Sequence, residues 1–380
     1  MKPRKILHII SKFSPDYPLF DDFVLGLDPR RFESTVCYLQ STPEPKPRFE
    51  HAGIEMIFLG GEGRRKRWVD LRRLLNLANI IKKKEISLIH CQRHKPTVYG
   101  VLSSLLSRNI PIISTVHGTR RTRSAKRRLV NRFLARRLFK IIAVSEAVRK
   151  DILDSNRWLP PEKVVAIQNG LSYSKILEAS SIPKDDARRN ILNGHEGDYW
   201  FGTAGRLAPK KNHERLVTAF AGLLKQAPNS ILLIVGSGPL EKKLNDLVER
   251  LDLGERVRIL GYRADIPEIL RSLDAFVFPS LPGEGLPLAV LEAMASGLPL
   301  IISGIEAAEE IIGDTGCGIK VEPTDVDAIR NGMLTLQQLD AEARARMADE
   351  ARSRALTRFT IDRMTKEVNE IYEGALSSMQ

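Results

Sequence analysis

The stretch FPSLPGEGLPLAVLEAMASGLPLI, residues 278–301, has the composition of a strand end, a loop and a helix in succession. Its prolines and glycines at positions 279–285 cannot continue a strand. Pro287 suits the first turn of a helix, where its missing N–H costs nothing. Apolar residues then recur at helical spacing until Gly297, which with Pro299 ends the helix. The stretch therefore predicts one strand–loop–helix unit of an α/β fold.

Two carboxylates lie in this unit, Glu284 in the loop and Glu292 in the helix, with seven residues between them. The first turn of a helix after such a loop offers unpaired N–H groups and a positive dipole end, which suit a phosphate. Acids beside that position can accept hydrogen bonds from hydroxyl groups. The unit therefore favours a ligand that joins a sugar to a diphosphate, although the spacing alone also fits a loop acid and a solvated helix acid.

Length and composition favour a two-domain cytoplasmic protein. The chain has 380 residues, of which 43% are hydrophobic, enough for two sizeable cores. Cys37, Cys91 and Cys317 are far apart, which favours reduced thiols over a disulfide framework or a zinc site. The first residues, MKPRKILHII, have too short an apolar core for a signal peptide and are typical of a first strand. No run of about 18 apolar residues occurs, so we expect no membrane-spanning segment.

Positive charge is concentrated in the first half of the chain. Residues 1–170 hold 34 Lys and Arg against 15 Asp and Glu, a formal charge of +19. Residues 171–380 hold 25 against 31, a formal charge of −6. A basic half predicts an anionic partner, such as a phosphorylated acceptor, an anionic membrane surface or nucleic acid.

The densest basic segment, residues 120–140, carries ten basic residues, no acid, and interleaved Leu and Phe. This pattern is typical of an amphipathic helix that lies on anionic lipid, and a solvated basic face is the alternative. A second basic run is Arg64–Arg67. Nucleic acid is not expected, because no zinc-finger spacing, RNP-type aromatic motif or basic heptad region accompanies the charge. The residues predicted to contact a membrane or an acidic acceptor are Arg120, Arg121, Arg123, Lys126, Arg127 and Arg128.

The first half alternates apolar strands with helical stretches, which indicates a parallel sheet covered by helices on both faces. The loop after the first strand, Ser11 to Asp22, contains two prolines and no glycine. The strands are expected at Ile6–Ile10, Ser34–Leu39, Glu55–Leu59, Leu88–Cys91, Ile112–Val116, Ile141–Val144 and Val164–Ile167.

Three polar positions follow strands of this half. His117 and Gly118 end one strand, where ligands bind in such sheets; a histidine that satisfies loop backbone groups is the alternative. Ser145 is most simply the N-cap of the next helix. Asn169-Gly170 is a turn signal and the expected exit from the first domain.

The second half repeats the strand–loop–helix plan. Gly205 and Arg206 end a strand that starts at Asp198, and Lys211 precedes the following helix. Glycine lets backbone approach a ligand, and the two cations together can neutralise a diphosphate. A pair of surface cations is the alternative. Further strands are expected at Ile231–Val235, before Gly236-Ser237-Gly238, at Val257–Leu260, before Gly261-Tyr262-Arg263, and at Leu300–Ser303.

In their order and spacing these residues resemble a family-4 glycosyltransferase with the GT-B fold. The resemblance is strong over residues 200–325 and weaker over the first half, where His117-Gly118, Ser145 and Asn169-Gly170 carry it. The matching residues of the second half are Gly205-Arg206, Lys211, Gly236-Ser237-Gly238, Gly261, and Glu284 through Glu292 followed by Gly297-Leu298-Pro299.

The resemblance implies two Rossmann-like doubly wound domains that face a central cleft. Residues 1–170 would form the acceptor-side domain and residues 171–358 the domain that binds a nucleotide sugar. Residues 359–380 would form a helix that returns to the first domain. Transfer would retain the anomeric configuration and would need no metal or other cofactor.

The resemblance also implies roles for individual residues. His117, Arg206, Lys211 and Glu284 would be catalytic: the histidine beside the reacting sugar, the two cations on the diphosphate, and the acid on the sugar hydroxyls. Glu292 would accept hydrogen bonds from the ribose hydroxyls. The donor site would comprise Gly205, Arg206, Lys211, Gly236, Gly238, Arg263, Glu284, Gly285, Leu286, Leu288 and Glu292.

The expected activity is transfer of a hexose from a nucleoside diphosphate sugar, most often UDP-linked in this family, to a lipid-linked or cell-envelope glycan such as lipopolysaccharide core. The basic first half places the enzyme on the cytoplasmic face of the membrane as a peripheral protein. The alternatives are an epimerase or phosphorylase of the same fold, or a nucleic-acid-binding protein with a vestigial donor site. The chain departs from many relatives in its first loop, Ser11 to Asp22, which lacks their glycine pair.

Overall fold

The computed structural model describes residues 2–12, 18–40, 47–60, 69–119, 125–192, 195 and 197–378. These residues form two compact units. One comprises residues 1–170 together with 361–380, and the other comprises residues 171–360. The first crossing between the units therefore follows Gly170, and the second follows Thr360 rather than residue 358.

A parallel sheet forms the centre of the first unit, with strand order β3-β2-β1-β4-β5-β6-β7. Its strands are β1 (Arg4–Ile10), β2 (Phe32–Tyr38), β3 (Glu55–Phe58), β4 (Leu88–Gln92), β5 (Ile112–Val116), β6 (Lys140–Ala143) and β7 (Val164–Ala166). The helices between them are α1 (Pro18–Leu25), α2 (Pro47–His51), α3 (Leu71–Lys83), α4 (His94–Leu106), α5 (Ala125–Ala135) and α6 (Glu146–Ser155).

The second unit is built on the same plan, with strand order β10-β9-β8-β11-β12-β13. Its strands are β8 (Tyr199–Ala204), β9 (Ser230–Val235), β10 (Val257–Gly261), β11 (Ala275–Phe278), β12 (Leu300–Ser303) and β13 (Gly318–Val321). Its helices are α7 (Ser174–Ala179), α8 (Lys184–Ile191), α9 (His213–Leu224), α10 (Glu241–Arg250), α11 (Ile266–Ser272), α12 (Leu288–Ala295), α13 (Glu306–Ile312), α14 (Val326–Gln338) and α15 (Ala341–Arg358).

The last helix, α16 (Ile361–Ser377), packs on the first unit, as expected. Its Tyr372 is fully buried, and the ring lies edge-on to Phe32 with centroids 5.5 Å apart. Its Met364 and Val368 are also buried. These side chains recur every three or four residues, so one face of the helix is apolar and covers the sheet.

One loop and one strand differ clearly from the sequence-based expectation. The loop after β1 is shorter than predicted, because α1 begins at Pro18, inside the segment expected to be a loop. Proline is favourable at the first position of a helix, so the residue taken as a loop signal starts the helix instead. Strand β13 was not predicted, since its four residues include Gly318 and Lys320 and carry little apolar signal.

Candidate active site

The reversal of strand order in the second sheet lies between β8 and β11. The chain continues from β8 to β9 on one side and from β11 to β12 on the other. In open α/β sheets, ligands bind outside the carboxyl ends of the strands at such a point. Residues 205–212 follow β8 and residues 279–287 follow β11, so both predicted ligand-binding loops lie at this position.

Lys211 and Glu284 come from these two loops and form an ion pair. Lys211 Nζ lies 3.1 Å from Glu284 Oε1, and Lys210 Nζ lies 3.5 Å from the same oxygen. The Lys211 ammonium also lies 4.9 Å from the centroid of the Phe278 ring. Glu284 Oε1 is buried and has no hydrogen bond of regular geometry to a described residue. The carboxylate therefore keeps capacity to accept a hydrogen bond, and the two cations outnumber it.

Gly205, which follows β8, lies close to the side chain of Lys211. Gly205 has φ +154°, a conformation that favours glycine, and a Cβ built on it would lie 3.5 Å from Lys211 Cε. Arg206 is exposed, and its guanidinium forms no hydrogen bond or ion pair with any residue that the structure describes. The structure therefore brings Lys211 and Glu284 into contact and leaves the Arg206 guanidinium without a partner among the described residues.

Asn212 holds the two loops together, a role that the sequence did not suggest. It is buried and left-handed, with φ +60°. Its Nδ2 donates to Pro279 O at 3.0 Å and to Pro323 O at 2.7 Å. A backbone bond from Leu281 N to Lys210 O, 2.9 Å long, joins the same loops. Asparagine tolerates the left-handed region, and its place directly before a helix was the available signal.

We expect Asn212→Gly to lower the free energy of unfolding by about 2 kcal/mol, because glycine keeps the left-handed backbone but loses two buried hydrogen bonds. Urea denaturation of the two proteins measures the difference. A change below about 0.5 kcal/mol would show that the amide does not hold the loops.

The glycines at 236 and 238 are required by the packing of two loops. A Cβ at Gly236 would lie 2.0 Å from Gly205 O, and a Cβ at Gly238 would lie 2.4 Å from Leu207 O. Leu207 N donates to Ser237 O at 2.9 Å. This close approach fixes the loop that carries Arg206 and Lys211, and it accounts for both glycines without a ligand. Their predicted contact with the donor stays a prediction.

Arg263 follows β10 and pairs with Asp265, an acid that lies two residues further along the chain. Its Nε lies 2.7 Å from Asp265 Oδ1, and its Nη2 contacts Oδ2. This two-point contact lowers the pKa of Asp265 and raises that of Arg263. A donor bound as predicted would therefore share the guanidinium of Arg263 with Asp265.

Helix α12 presents Glu292 and an uncapped first turn. Pro287 is the N-cap and supplies no side-chain hydrogen bond. Gly285 and Leu286 are buried before it, and Leu288 is partly exposed. Glu292 is also partly exposed, yet its carboxylate forms no hydrogen bond or ion pair with a described residue. Burial raises the pKa of Glu292 to about 7. A partly exposed acid without a described partner in this position has acceptor capacity for a ligand.

His117 in the first unit ends a chain of buried hydrogen bonds. Its Nε2 lies 2.8 Å from Gln92 Oε1, so the histidine donates from that nitrogen. His90 Nε2 lies 2.7 Å from Thr115 Oγ1 and 3.5 Å from Gln92 Nε2. His90 Nδ1 lies 2.6 Å from Tyr372 Oη on α16. Burial holds the pKa of His90 well below its usual value, so this histidine is neutral. The chain fixes the orientation of His117.

Sequence comparison assigns the chain to a family. The model described as "Glycosyl transferases group 1" matches residues 184–354, and the model "Glycosyltransferase Family 4" matches residues 20–175. The UDP-Gal:alpha-D-GlcNAc-diphosphoundecaprenol alpha-1,3-galactosyltransferase of Escherichia coli is 30% identical over 317 residues, 80% of this chain and 79% of that protein. The chain belongs to glycosyltransferase family 4.

Other comparisons agree with this assignment. The lipopolysaccharide core biosynthesis mannosyltransferase LpsB of Rhizobium meliloti is 24% identical over 65% of this chain and 68% of its own. The crystal structure of Anabaena Alr3699/HepE in complex with UDP and glucose superimposes with TM-score 0.83 at 23% identity, covering 98% of this chain and 100% of that one. WaaG, involved in lipopolysaccharide biosynthesis, superimposes with TM-score 0.73 at 16% identity, covering 96% and 99%. The GT-B fold and the assignment as a glycosyltransferase are confirmed.

The basic segment of this glycosyltransferase is described only in part. Arg120, Arg121 and Arg123, and also Arg64–Arg67, lie outside the described residues, and of Lys126 only the backbone is described. Residues 125–135 of the segment form α5, on which Arg127 and Arg128 are exposed. Leu129 is 74% exposed and Phe133 46% exposed on the same helix. Two large apolar side chains in water beside several arginines fit an amphipathic surface helix.

The described residues contain neither a membrane-spanning helix nor a metal-binding cluster. None of the helices described here is long and apolar enough to cross a membrane. No group of three or more His, Cys, Asp or Glu side chains among these residues is arranged to hold a metal ion. The expectation that the family-4 glycosyltransferase needs no metal stays a prediction.

Proposed function

We propose that this glycosyltransferase moves a hexose from a UDP-sugar, with retention of configuration, to a hydroxyl of a lipid-linked or cell-envelope glycan. The observation that carries the proposal is the contact between Lys211 and Glu284 across the switch point of the second sheet. A cation for a diphosphate and an acid for sugar hydroxyls meet there, 3.1 Å apart. Lys211 suits the diphosphate of a nucleotide sugar, and Glu284 suits the hydroxyl groups of its sugar.

In the proposed donor complex, Lys211 and Arg206 neutralise the diphosphate, and the first turn of α12 donates backbone N–H groups to it. Glu284 accepts hydrogen bonds from the hexose, and Glu292 accepts them from the ribose. As the bond between the anomeric carbon and the diphosphate oxygen breaks, negative charge grows on UDP. The two cations stabilise that charge, which is the largest catalytic contribution expected here.

The acceptor hydroxyl attacks the anomeric carbon from the face that UDP leaves. A phosphate oxygen of UDP takes the hydroxyl proton, so the products are the glycoside with its configuration retained and UDP. No side chain forms a covalent bond in this sequence. His117, which is held by Gln92, stays the residue predicted to orient the reacting sugar.

Relatives support the choice of donor and acceptor. The Escherichia coli relative uses UDP-Gal, and its acceptor is a diphosphoundecaprenol-linked GlcNAc by name. The structural neighbour from Anabaena holds UDP and glucose. The Rhizobium meliloti relative acts in lipopolysaccharide core biosynthesis. The proposal therefore takes UDP as the nucleotide and a lipid-linked glycan as the acceptor class.

The proposal is tested by measuring UDP release from a panel of UDP-hexoses, with and without lipid-linked GlcNAc, in the presence of EDTA. We expect acceptor-dependent release that EDTA leaves unchanged. Conversion of a UDP-hexose to its epimer without acceptor, or sugar release that requires inorganic phosphate, would instead assign an epimerase or a phosphorylase.

The affinity for UDP is expected to fall as the pH falls through 7. Glu292, whose pKa is about 7 when the site is empty, accepts ribose hydroxyls best as a carboxylate. Its ionised fraction falls about tenfold between pH 8 and pH 6, so the Kd for UDP rises by up to that factor. Isothermal titration calorimetry at pH 6, 7 and 8 measures this.

Glu292→Gln is the control, because it keeps the shape and removes the titration. The variant should show only the weak pH dependence of the UDP phosphate itself. The same shift affects stability. Because the pKa of Glu292 is higher in the folded protein than in the unfolded one, ionisation of Glu292 lowers the free energy of unfolding as the pH rises from about 4.5 to 7. Above pH 7, Glu292→Gln should therefore have a higher free energy of unfolding than the wild type. An equal pH slope in both proteins would remove Glu292 from the site.

Membrane association is proposed to use the outer face of α5, where Leu129 and Phe133 insert and Arg128 meets lipid phosphate. The double variant Leu129→Asp/Phe133→Asp should bind vesicles containing about one third phosphatidylglycerol at least about tenfold more weakly. Sedimentation with vesicles at low and moderate salt measures this. Leu177→Asp, which changes an exposed leucine of the second unit, is the matched control. Equal binding of all three proteins would remove α5 from the membrane surface.

A further inference from the structure

A cavity of about 270 Å³ lies at the carboxyl edge of the first sheet. Its wall includes Ser11 after β1, Arg93 after β4 and His117 after β5. The strand order reverses between β1 and β4, and residues that follow both strands line one end of the cavity; open α/β sheets bind ligands at such a point. Its size is near the lower end for small-molecule sites, roughly 300 Å³. Of the residues that line this cavity, only His117 has a role in the proposed transfer.

One side of the cavity is basic. Arg93, His94, Lys95 and Arg127 line it, and no Asp or Glu is among the described residues that do. Burial, followed by the nearby charge of Arg127, lowers the pKa of His94, and His94 Nε2 is buried without a hydrogen bond. Burial lowers the pKa of Lys95 as well, followed by the charge of Arg73. The four basic side chains, with no acid among the described lining residues, give this side of the cavity a positive potential that an anion would relieve.

The other side of the cavity is apolar. Leu134, Leu138, Ile141, Ile152 and Trp158 line it, and the first two come from α5 and the turn after it. A free sugar phosphate has no group to fill this part, because its surface is polar throughout. A basic mouth and an apolar interior instead match a phosphate that carries a hydrocarbon chain.

One face of helix α5 lines this cavity, and another face is exposed to solvent. Arg127, Asn131 and Leu134 recur at helical spacing and line the cavity, whereas Leu129 and Phe133 are exposed. The helix that carries the exposed apolar residues is therefore one wall of the cavity. An amphiphile in the membrane would reach the cavity along this helix.

We propose that this cavity binds the phosphate and the adjoining hydrocarbon segment of a lipid-linked acceptor. Arg93, Lys95 and Arg127 bind the phosphate or diphosphate, and the leucine, isoleucine and tryptophan side chains contain the first part of the chain. His117 lies in the cavity wall, so the sugar attached to that phosphate lies next to the residue proposed to orient the transferred hexose. The inference rests on the proposed transfer to a lipid-linked glycan and gives its acceptor a site.

The test is calorimetric binding of farnesyl diphosphate, inorganic diphosphate and farnesol to the full-length protein. Farnesyl diphosphate should bind at least about tenfold more tightly than either of the others, because only it fills both parts of the cavity. Arg127→Gln and Asn131→Trp, which remove a cation and fill the space, should each weaken that binding at least about tenfold. Arg132→Gln, an exposed cation of the same helix outside the cavity, should leave it unchanged.

UDP affinity is measured on every variant, because it reports the second unit and is not expected to change. If farnesyl diphosphate binds no better than inorganic diphosphate, or if Arg127→Gln and Asn131→Trp bind it as the wild type does, the cavity is not a lipid-phosphate site. The proposed transferase function would then stand with its acceptor elsewhere. If farnesyl diphosphate binds as expected but UDP does not bind, the cavity assignment holds and the proposed function fails.

Discussion

Lys211→Ala is expected to lower the rate of hexose transfer by about a hundred- to a thousandfold. The ammonium group lies 3.1 Å from Glu284 at the switch point of the second sheet, where the diphosphate is proposed to bind. The substitution removes a positive charge that stabilises the transition state more than the bound substrate, because negative charge grows on the leaving diphosphate. The value of kcat should therefore fall more than the Kd for UDP rises.

Lys210→Ala is the matched control, because Lys210 lies 3.5 Å from the same oxygen of Glu284 but its side chain is 41% exposed. We expect it to change transfer by no more than about threefold. Initial rates of UDP release, with thermal unfolding to confirm that both variants are folded, separate the two positions. Equal losses in both variants would mean that only the general positive potential matters, and an unchanged rate in Lys211→Ala would remove it from the mechanism.

Gly236→Ala is expected to destabilise the second unit by at least about 3 kcal/mol. The new Cβ would lie 2.0 Å from Gly205 O, a backbone atom that cannot move without displacing the loop of Arg206 and Lys211. The φ of +135° adds strain for any residue with a side chain. The thermal midpoint of this unit should fall by about 10 °C, or the variant should fail to accumulate as soluble protein.

Gly254→Ala is the control for this substitution, because a Cβ there meets nothing within 4 Å. It should unfold within about 0.5 kcal/mol of the wild type. Urea denaturation followed by circular dichroism measures both variants. A Gly236→Ala protein as stable as Gly254→Ala would show that the two loops do not pack as closely as described.

The architecture was predictable because its signals are local. Each parallel strand of the first unit is a short apolar run between helical stretches, and β5 was predicted at the residues where it is found, Ile112–Val116. The predicted end of the first loop was wrong because proline can either lie in a loop or start a helix, and Pro18 starts α1. Strand β13 was missed because it borders the sheet and carries little apolar pattern.

The candidate site was predictable only in part. Lys211 and Glu284 were expected near one ligand because each follows a parallel strand, and such strand ends share an edge of the sheet. Asn212 was missed because its partners, Pro279 and Pro323, come from loops far along the chain. No spacing rule reports such contacts, since they depend on how the loops pack.

The other features that the sequence did not predict depend on contacts between residues far apart in the chain. His90 and Tyr372 are 282 residues apart in sequence, so nothing local suggests that they hold His117 through Gln92. The pKa of Glu292 is likewise set by burial, which follows from the packing of α12 and not from the residues beside it in sequence.

We propose that cations and acids from separate loops of the second unit bind one UDP-linked sugar. The most direct test is a crystal structure of the protein with UDP bound. We predict a diphosphate oxygen within about 3 Å of Lys211 Nζ and a ribose hydroxyl at the same distance from the carboxylate of Glu292. A diphosphate that contacts neither Lys211 nor Arg206, or a ribose on another face of the sheet than Glu292, would rule out this binding mode.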